Sequence, residues 1–548
     1  MSMRTSADME VPEETQRVAQ AAFPHGNGYL TVRDELGTIY RDEQFAGLFS
    51  GRGRPAESPW RLALVTVLQF GENLSDPQAA ECVRSRIDWK YLLGLRLDDA
   101  GFDFSVLSEF RDRLITGSME MQLLDSLLAL FAARGLLKGR RKQRTDSTHV
   151  LAAIRSLSRL ECVQETMRKA LNTLARVAPD WLQARAPMEW YTRYDARLTQ
   201  YRRSASKAAY QALVETIGAD GYQLLDWAYA ADAPETVRQQ GVVEIVRRIW
   251  VQNFYREAGQ VRWREAGNLP PGELLIQSPH DLEVRYSQKR EMDWEGDKVH
   301  LTETCEAEEP HLITHVATTP ATLPDGEMTA PIQTALMDKG LPPSQHLLDS
   351  GYVDAEHLVT SQETHGIEIL GPVAADTTWQ ARSGQGFDLA HFVIDWRRQQ
   401  VTCPMGHPSQ IWSESHDSYA NPVVHVRFAA ADCQACAVRA RCTTAKKNPR
   451  SLKLRSQQQH EALQRARERQ AGLDFWQQYR LRSGIEGTLS QGVRSTGLRR
   501  SRYIGQAKTH LQMILSAIAI NLARFVAWIN EIPLAATRVG AFAALAPT

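Results

Sequence analysis

The chain has 548 residues, of which 43% are hydrophobic and 23% are charged, and its formal net charge is zero. This length is too great for one ordinary core, so we expect a globular protein of two to four domains. The N-terminal segment MSMRTSADMEVPEETQ lacks an apolar core, and no run of eighteen uncharged apolar residues exists, so neither a signal peptide nor a membrane span is expected. Zero net charge does not exclude nucleic-acid binding, because charge can be segregated into patches.

The first 137 residues contain few strand signals. Residues 1–44 are predicted to be a polar lead with little structure of its own. Residues 45–137 carry a helical pattern, with a capping box at Ser75–Gln78 and short helices predicted at Asp88–Leu95 and Phe104–Leu114. Short helices at this spacing can form a helix-turn-helix that binds DNA, or simple all-helical packing.

The first candidate strand follows the basic run Lys138–Arg144. The stretch Thr145–Leu151 is rich in β-branched and apolar residues, which predicts a strand with Asp146 on one face. An Asp beside Ser and Thr can also form an Asx turn or a helix N-cap. Asp146 is therefore a candidate functional residue only if partner acids are found.

A mixed α/β sheet is predicted for the middle of the chain. Apolar residues at helical spacing predict that the segment from Arg155 to Gly267 is a helical insertion into this sheet. The predicted elements after it are strands at Val299–Cys305 and Leu312–Thr319, a helix at Ala330–Lys339, a strand at His346–Tyr352, a helix at Asp354–His365 and a strand at Ile367–Val373. Asp349 lies where a strand ends in a tight turn, which suits either chemistry or turn formation.

Four cysteines interrupt this pattern between residues 375 and 455. They are Cys403, Cys433, Cys436 and Cys442, and the CxxC spacing permits a tetrahedral zinc site. His407 is an alternative fourth ligand. Buried free thiols are the competing interpretation. The odd total of seven cysteines indicates a reducing compartment.

The stretch Tyr479–His510 contains seven Arg or Lys residues and a single acid, Glu486. Tyr479, Arg482 and Glu486 are spaced i, i+3, i+7, which predicts one face of a helix. A solvated basic helix with an incidental ion pair between Arg482 and Glu486 would show the same pattern. An apolar helix, Thr509–Asn530, and a loose tail from Glu531 are predicted to follow.

Asp146, Asp349 and Glu486 together form a candidate metal site. Two of these acids are predicted on strands and the third on a helix after the last strand. Hard cations such as Mg²⁺ or Mn²⁺ prefer oxygen ligands. Two such ions about 4 Å apart can activate a water or a 3′-hydroxyl and stabilise the leaving oxygen of a phosphodiester. The surrounding basic residues suit a polyanionic substrate.

Six sequence motifs carry a resemblance to a known family. They are TDSTHVLAA, KVHLTETC, PHLITHV, LLDSGY, the CxxC-x5-C cluster and SGIEGTLSQGVR-x4-LRRSRYIGQAKTHLQ. From Phe45 to Trp528 the chain resembles bacterial insertion-sequence transposases of the DDE type. It is most similar to the branch often called "eleven eighty-two", which is related to the "IS-four" superfamily. The resemblance implies an RNase H-like core whose DDE triad falls on Asp146, Asp349 and Glu486.

The same resemblance implies the activity and the partners. The reaction would be metal-dependent hydrolysis at transposon ends and transesterification into target DNA, with Mg²⁺ or Mn²⁺ as cofactor. The partners would be the terminal inverted repeats, the target DNA and a second copy of the chain, in the bacterial cytoplasm at the nucleoid, without a membrane. The expected DNA-binding residues are Tyr479, Arg482, Arg494, Arg499, Arg500 and Arg502.

One position departs from the signature Y-x2-R-x3-E-x6-K of the related superfamily. Tyr479, Arg482 and Glu486 match it, but Val493 occupies the last basic position and Arg494 follows one residue later. One residue turns a helix by about 100°, so Arg494 could face elsewhere, and Gly492 could end the helix.

The predicted division of the chain follows from these elements. It comprises 1–44 as a polar lead, 45–137 as a helical DNA-end-binding domain, 138–155 with 275–374 as the RNase H-like core, 156–274 as a helical insertion, 375–455 as a cysteine-rich, zinc-ribbon-like insertion, 456–530 as catalytic and core helices, and 531–548 as a flexible tail. Two other functions remain open, a zinc-dependent DNA-binding regulator without catalysis and a host RNase H-like nuclease.

Overall fold

Seven α-helices and one 3-10 helix (Asp42–Leu48) precede the first strand of the described chain. The computed structural model describes residues 9–53, 55–197, 206–289, 291–418 and 420–533. The helices are α1 (Glu13–Ala22), α2 (Gly28–Leu36), α3 (Pro59–Gly71), α4 (Asp76–Ser85), α5 (Ile87–Leu92), α6 (Ser105–Thr116) and α7 (Glu120–Ala133). The expectation of little structure in residues 1–44 is wrong from residue 13 onward, because α1 and α2 are helical and Val32 and Tyr40 are buried in the main core.

The helices predicted between residues 45 and 137 are confirmed. The capping box at the start of α4 is present, with the backbone N–H of Ser75 donating to Gln78 Oε1 at 2.9 Å. α3 has eleven buried residues, so it lies inside the helical layer. The helices predicted at Asp88–Leu95 and Phe104–Leu114 correspond to α5 and α6, with boundaries that differ by one to three residues.

An insertion separates the first strand, β1 (Lys142–Leu151), from the rest of the sheet. Its elements are α8 (Arg159–Val177), α9 (Pro179–Gln183), α10 (Met188–Arg193), α11 (Lys207–Ala228), α12 (Glu235–Arg238), α13 (Gly241–Asn253), β2 (Phe254–Glu257) and β3 (Gln260–Trp263). The insertion has its own apolar core, in which Val163, Val246 and Trp250 are completely buried. The expectation of an all-helical segment is corrected by the β2–β3 hairpin, where Phe254 pairs with Trp263.

The sheet mixes antiparallel and parallel strands. Its further elements are β4 (Arg285–Lys289), β5 (Met292–Thr304), β6 (Ile313–Pro320), α14 (Thr329–Asp338), β7 (Gln345–Leu347), α15 (Ala355–His365) and β8 (Glu368–Leu370). β5 is antiparallel to β1 on one side and to β4 and β6 on the other. β7 is parallel to β1, and β8 is parallel to β7. The predicted mixed α/β class is confirmed, and β4 is an additional strand.

A small unit follows β8. It consists of α16 (Trp379–Arg382), β9 (Val393–Asp395), β10 (Gln400–Thr402), β11 (Ser409–His416), β12 (Pro422–Phe428), α17 (Ala430–Ala435), α18 (Arg439–Cys442) and β13 (Ser451–Leu454). β11, β12 and β13 form an antiparallel sheet, and β9 pairs with β10. Val401, Val426 and Phe428 are buried in a separate core.

The last long helix joins the N-terminal helices to the sheet. The final elements are α19 (Gln457–Ala471), α20 (Leu473–Tyr479), α21 (Gly484–Ser495) and α22 (Gln506–Ile529). α22 packs on α3 and α7 on one side and on β6 on the other. It is long and apolar enough to cross a membrane, but most of it is buried inside the protein as a core helix. The tail predicted to be loose from Glu531 lies outside the described residues from position 534.

Asn521 is one of the polar side chains that fix α22 to the sheet. This completely buried side chain accepts a hydrogen bond from the backbone N–H of Ile313 at 2.7 Å and donates one to the carbonyl of Ile313 at 2.8 Å. The amide therefore pairs with the outer edge of β6 as another strand would.

The change Asn521→Ala should lower the free energy of unfolding by about 1–3 kcal/mol, because it leaves a buried N–H and a buried carbonyl without partners. The midpoint of thermal unfolding measures this loss. Asn172→Ala is the matched control, since Asn172 lies on the exposed face of α8 and bonds only the preceding turn in the described structure. Equal effects of the two changes would contradict the assigned contact.

Candidate active site

Register between two parallel strands brings Asp146 and Asp349 together. Arg144 of β1 lies opposite Leu347 of β7, and each acid comes two residues later in the chain. Because side chains alternate along a strand, Asp146 shares the face of Arg144. Asp146 therefore lies in the middle of β1, just beyond the residues that pair with β7, and Asp349 lies two residues past the end of β7 on the same side of the sheet.

The Asp349 carboxylate is oriented by its own turn. Its Oδ1 accepts a hydrogen bond from the N–H of Gly351 at 2.8 Å, and the N–H of Tyr352 donates to its carbonyl at 3.1 Å. The Tyr352 hydroxyl lies 2.6 Å from His300 Nδ1 on β5. Turn formation and a functional role, the two readings left open by the sequence, are thus both compatible with Asp349.

Glu486 lies in the first turn of α21 and reaches the other two acids through Arg482. Arg482 Nη2 lies 2.7 Å from Asp146 Oδ2 and 3.6 Å from Asp349 Oδ2. Arg482 Nη1 lies 3.1 Å from Glu486 Oε1. One guanidinium therefore contacts all three carboxylates that the sequence singled out.

The helix predicted to carry Tyr479, Arg482 and Glu486 is present but is interrupted by a 3-10 turn. α20 ends at Tyr479, residues Arg480–Ser483 form a 3-10 turn, and α21 begins at Gly484. The turn carries Arg482 between the two helices and directs its side chain toward β1 and β7. Gly492 does not end the helix, which continues to Ser495.

Burial and charge oppose each other at Asp146. Burial raises the pKa of Asp146 to about 6, the Arg482 guanidinium and the N–H of Ser147 favour its ionised form, and nearby Asp349 disfavours it. The Glu486 side chain, in contrast, is 65% exposed. The site thus joins two acids at the sheet to a third at the solvent boundary.

A buried ion-pair cluster supports the site, and our sequence analysis did not identify it. Glu303 of β5 is completely buried. It lies 2.6 Å from Arg144 Nη2 and 2.7 Å from Arg524 Nη1, and it accepts a hydrogen bond from Thr488 at 2.6 Å. Arg144 also donates to the carbonyl of Leu481 in the 3-10 turn. The only signal in the sequence is an acid between two threonines in the predicted strand Val299–Cys305.

Basic side chains surround a cleft of about 660 Å³ that opens on the three acids. The expected residues Arg494 and Arg499 line it, together with Lys289 of β4, which sequence reasoning missed. Arg499 donates to Thr148 Oγ1 at 2.9 Å, and its carbonyl accepts from the N–H of Leu151 at 2.8 Å. The segment after α21 thus extends the end of β1.

The other expected DNA-binding residues occupy different surroundings. Arg500 is exposed and faces a neighbouring cleft beside Trp294. Tyr479 stacks on Phe475 with ring centroids 5.7 Å apart. Arg502 does not line the acidic cleft, because its guanidinium donates to the Leu74 carbonyl and lies over Phe70. We therefore expect Arg502 to pack against the N-terminal helices and not to contact DNA in this cleft.

The four cysteines line one small cavity with His407. Burial raises the pKa of Cys442, and its three neighbouring cysteines act in the same direction. His407 Nδ1 lies 3.8 Å from Asp432. Among the described residues, no group of three or more His, Cys, Asp or Glu is arranged to hold a metal ion. The structure therefore does not support the predicted zinc site.

Asp146, Asp349 and Glu486 likewise form no group that is arranged to hold a metal ion among the described residues. Asp146 and Asp349 contact one terminal nitrogen of Arg482 and Glu486 contacts the other, so the guanidinium occupies the place where the three carboxylates meet. Their chemistry nevertheless fits a hard cation. The Oδ2 atoms of Asp146 and Asp349 lie within 2.7 and 3.6 Å of one nitrogen, so both can reach a site of two ions about 4 Å apart.

Two family models match the chain. The model described as "Transposase DDE domain" matches residues 402–526, and "Transposase domain (DUF772)" matches residues 20–113. The two matches together indicate an insertion-sequence transposase of the DDE type. Glu486 lies inside the first match, whereas Asp146 and Asp349 lie outside both. A search of curated proteins found no match. These domain matches imply a DNA substrate and a general enzymatic role with divalent metal.

Gly484 permits the contact between the 3-10 turn and β1, because a Cβ at this position would overlap the Arg144 guanidinium. We expect Gly484→Ala to displace Arg144 from Leu481 or Glu303 and to lower the free energy of unfolding by about 1–3 kcal/mol. Thermal unfolding measures this change.

Gly487→Ala provides the control on the same helix, because a Cβ there meets nothing within 4 Å. It should be neutral or stabilise the protein by about 0.5–1 kcal/mol through higher helix propensity. A Gly484→Ala transposase as stable as Gly487→Ala would show that the Arg144 contact does not matter.

Proposed function

We propose that this transposase cuts the ends of an insertion sequence and joins them to target DNA by two-metal-ion catalysis. Asp146, Asp349 and Glu486 would hold two Mg²⁺ or Mn²⁺ ions. The observation that carries the proposal is the meeting of these three carboxylates at one guanidinium, although 203 and 137 residues separate them along the chain. Bound metal would supply a polarised water or 3′-hydroxyl and stabilise the leaving oxygen.

The sheet supports an RNase H-like catalytic core. Its central β1 lies between antiparallel β5 and parallel β7, and the first two acids come from β1 and from the end of β7. The helical insertion after β1 and the cysteine-bearing unit after β8 would then be additions to this core. The sequence motifs quoted above support a place in the "eleven eighty-two" branch.

The protein side chains would bind and orient the DNA strand. Lys289, Arg494 and Arg499 line the cleft beside the acids and would contact phosphates on either side of the cleaved bond. Arg482 would hold a phosphate next to the metal ions, and Tyr479 would position the backbone or a terminal base. Arg500 faces the neighbouring cleft and would contact the DNA strand farther from the cleaved bond.

The remaining parts of the chain would recognise the ends and the second copy. The N-terminal helices and the insertion are proposed to bind terminal inverted repeats or the partner protomer. Two ends must be cut and joined together, so a homodimer on DNA is the proposed assembly. We place this assembly in the bacterial cytoplasm, at the nucleoid.

Neither competing function is favoured. A DNA-binding regulator without catalysis leaves the meeting of the three acids at Arg482 unexplained. A host RNase H-like nuclease shares the acids, but both family matches are to transposase domains.

Removing any one carboxylate should abolish cleavage without abolishing DNA binding. We expect Asp146→Asn, Asp349→Asn and Glu486→Gln each to reduce strand cleavage at least 100-fold in Mg²⁺, because each loses a metal ligand. Cleavage of labelled terminal DNA measures this, and a mobility shift measures binding.

Glu356→Gln is the matched control, because Glu356 is an exposed acid in the first turn of α15. It should retain full cleavage. Wild-type rates in the Glu486→Gln enzyme would remove Glu486 from the catalytic group.

Salt dependence should separate the arginines that contact DNA from those that pack. Arg494→Gln should lower the slope of log affinity against log salt by about 0.9, the contribution of one phosphate contact. Arg502→Gln should leave this slope unchanged and lower the thermal unfolding midpoint, because Arg502 bonds Leu74 and lies over Phe70. A reversed pattern would contradict the two assignments.

A further inference from the structure

Arg482 occupies the point where the catalytic acids meet. Its two terminal nitrogens contact Asp146, Asp349 and Glu486 at 2.7, 3.6 and 3.1 Å. The side chain is only 12% exposed, so the guanidinium lies inside the site and not at its rim. A positive charge is therefore already placed among the three carboxylates.

The carboxylate oxygens that Arg482 contacts are the same oxygens that would bind a metal ion. Asp146 Oδ1 accepts a hydrogen bond from the N–H of Ser147 at 2.8 Å, and Asp349 Oδ1 accepts one from the N–H of Gly351 at 2.8 Å. The Oδ2 atoms are left to face the cleft, and both face the same nitrogen of Arg482. A magnesium ion binds oxygen at about 2.0–2.1 Å and requires near-octahedral space. The guanidinium and the ion cannot occupy this position together.

We propose that Arg482 is an internal counter-cation that keeps the metal site closed until DNA enters the cleft. This inference rests on the proposed two-metal function. A DNA phosphate offers the guanidinium a bidentate partner in place of the carboxylates. When Arg482 moves to that phosphate, the Oδ2 atoms of Asp146 and Asp349 become free to bind divalent metal.

Two features of Arg482 favour such a movement. Its Nε is buried and has no hydrogen-bond partner within the described structure, so the present position leaves one donor unsatisfied. The 3-10 turn that carries it joins two helices and opens on the cleft lined by Arg494 and Arg499. A phosphate held by these arginines would lie beside the guanidinium.

The device would couple DNA binding to metal binding. If DNA raises the affinity for metal by some factor, then metal raises the affinity for DNA by the same factor. The free transposase would bind metal weakly, and it would assemble the complete catalytic site only on a bound strand. This would limit hydrolysis of unintended substrates.

The test measures Mn²⁺ affinity of the full-length protein by electron paramagnetic resonance of free Mn²⁺. Without DNA, we expect Arg482→Gln to bind Mn²⁺ at least tenfold more tightly than the wild type. Arg480→Gln is the matched control, because Arg480 is an exposed arginine of the same turn, and its affinity should equal that of the wild type. Equal affinities of the wild type and Arg482→Gln would overturn the inference.

A second measurement does not depend on any variant of Arg482. Addition of a mixed-sequence DNA duplex at low salt should raise the Mn²⁺ affinity of the wild type at least tenfold. The same duplex with Asp146→Asn/Asp349→Asn protein corrects for Mn²⁺ bound by the DNA itself. No increase in the wild type would overturn the inference even if Arg482→Gln fails to fold.

The two proposals can fail separately. Mn²⁺ binding that requires Asp146 and Asp349 but does not respond to DNA or to Arg482→Gln would leave the two-metal function standing and remove the closed-site inference. Mn²⁺ binding that is unaffected by Asp146→Asn/Asp349→Asn, with and without DNA, would remove the two-metal function and the inference that rests on it.

Discussion

The buried carboxylate of Glu303 is the contact on which the geometry of the site depends. It is shared by Arg144 of β1 and Arg524 of α22, and Thr488 of α21 donates to it. The strand that carries Asp146, the helix that carries Glu486 and the long core helix are thus fixed to one point. Removing one member of a buried ion pair leaves the partner charge unpaired, at a cost of about 3–5 kcal/mol. The cluster therefore sets the positions of the catalytic elements while lying outside the cleft.

The residues with strong local signals were predictable from the sequence. The strand with Asp146, the turn with Asp349 and the buried helix with Asn521 have the β-branched, turn-forming and apolar patterns that their structures require. The spatial arrangement of these elements could not be predicted from local sequence patterns. Register between β1 and β7, which places Asp146 beside Asp349, follows from pairing of segments about 200 residues apart, and no local pattern encodes it.

The predictions that differ from the structure also failed because of tertiary contacts. The i, i+3, i+7 spacing of Tyr479, Arg482 and Glu486 fits one helix, but the contact of Arg144 with Leu481 accompanies a 3-10 turn at that point. Arg502 belongs to a basic cluster in the sequence, yet packing on Phe70 turns its side chain away from the acids. Residues before 45 looked polar because α1 and α2 bury only one face each. Charge and hydrophobic periodicity in the sequence indicate which residue types are present. The direction in which each side chain points is decided by tertiary packing.

Anomalous diffraction from crystals of the transposase with bound DNA and Mn²⁺ tests the central claim most directly. The account predicts Mn²⁺ peaks about 2.0–2.2 Å from carboxylate oxygens of Asp146 and Asp349, with the Arg482 guanidinium on a DNA phosphate. Mn²⁺ bound elsewhere in the DNA complex, with Arg482 still between the three acids, would contradict it.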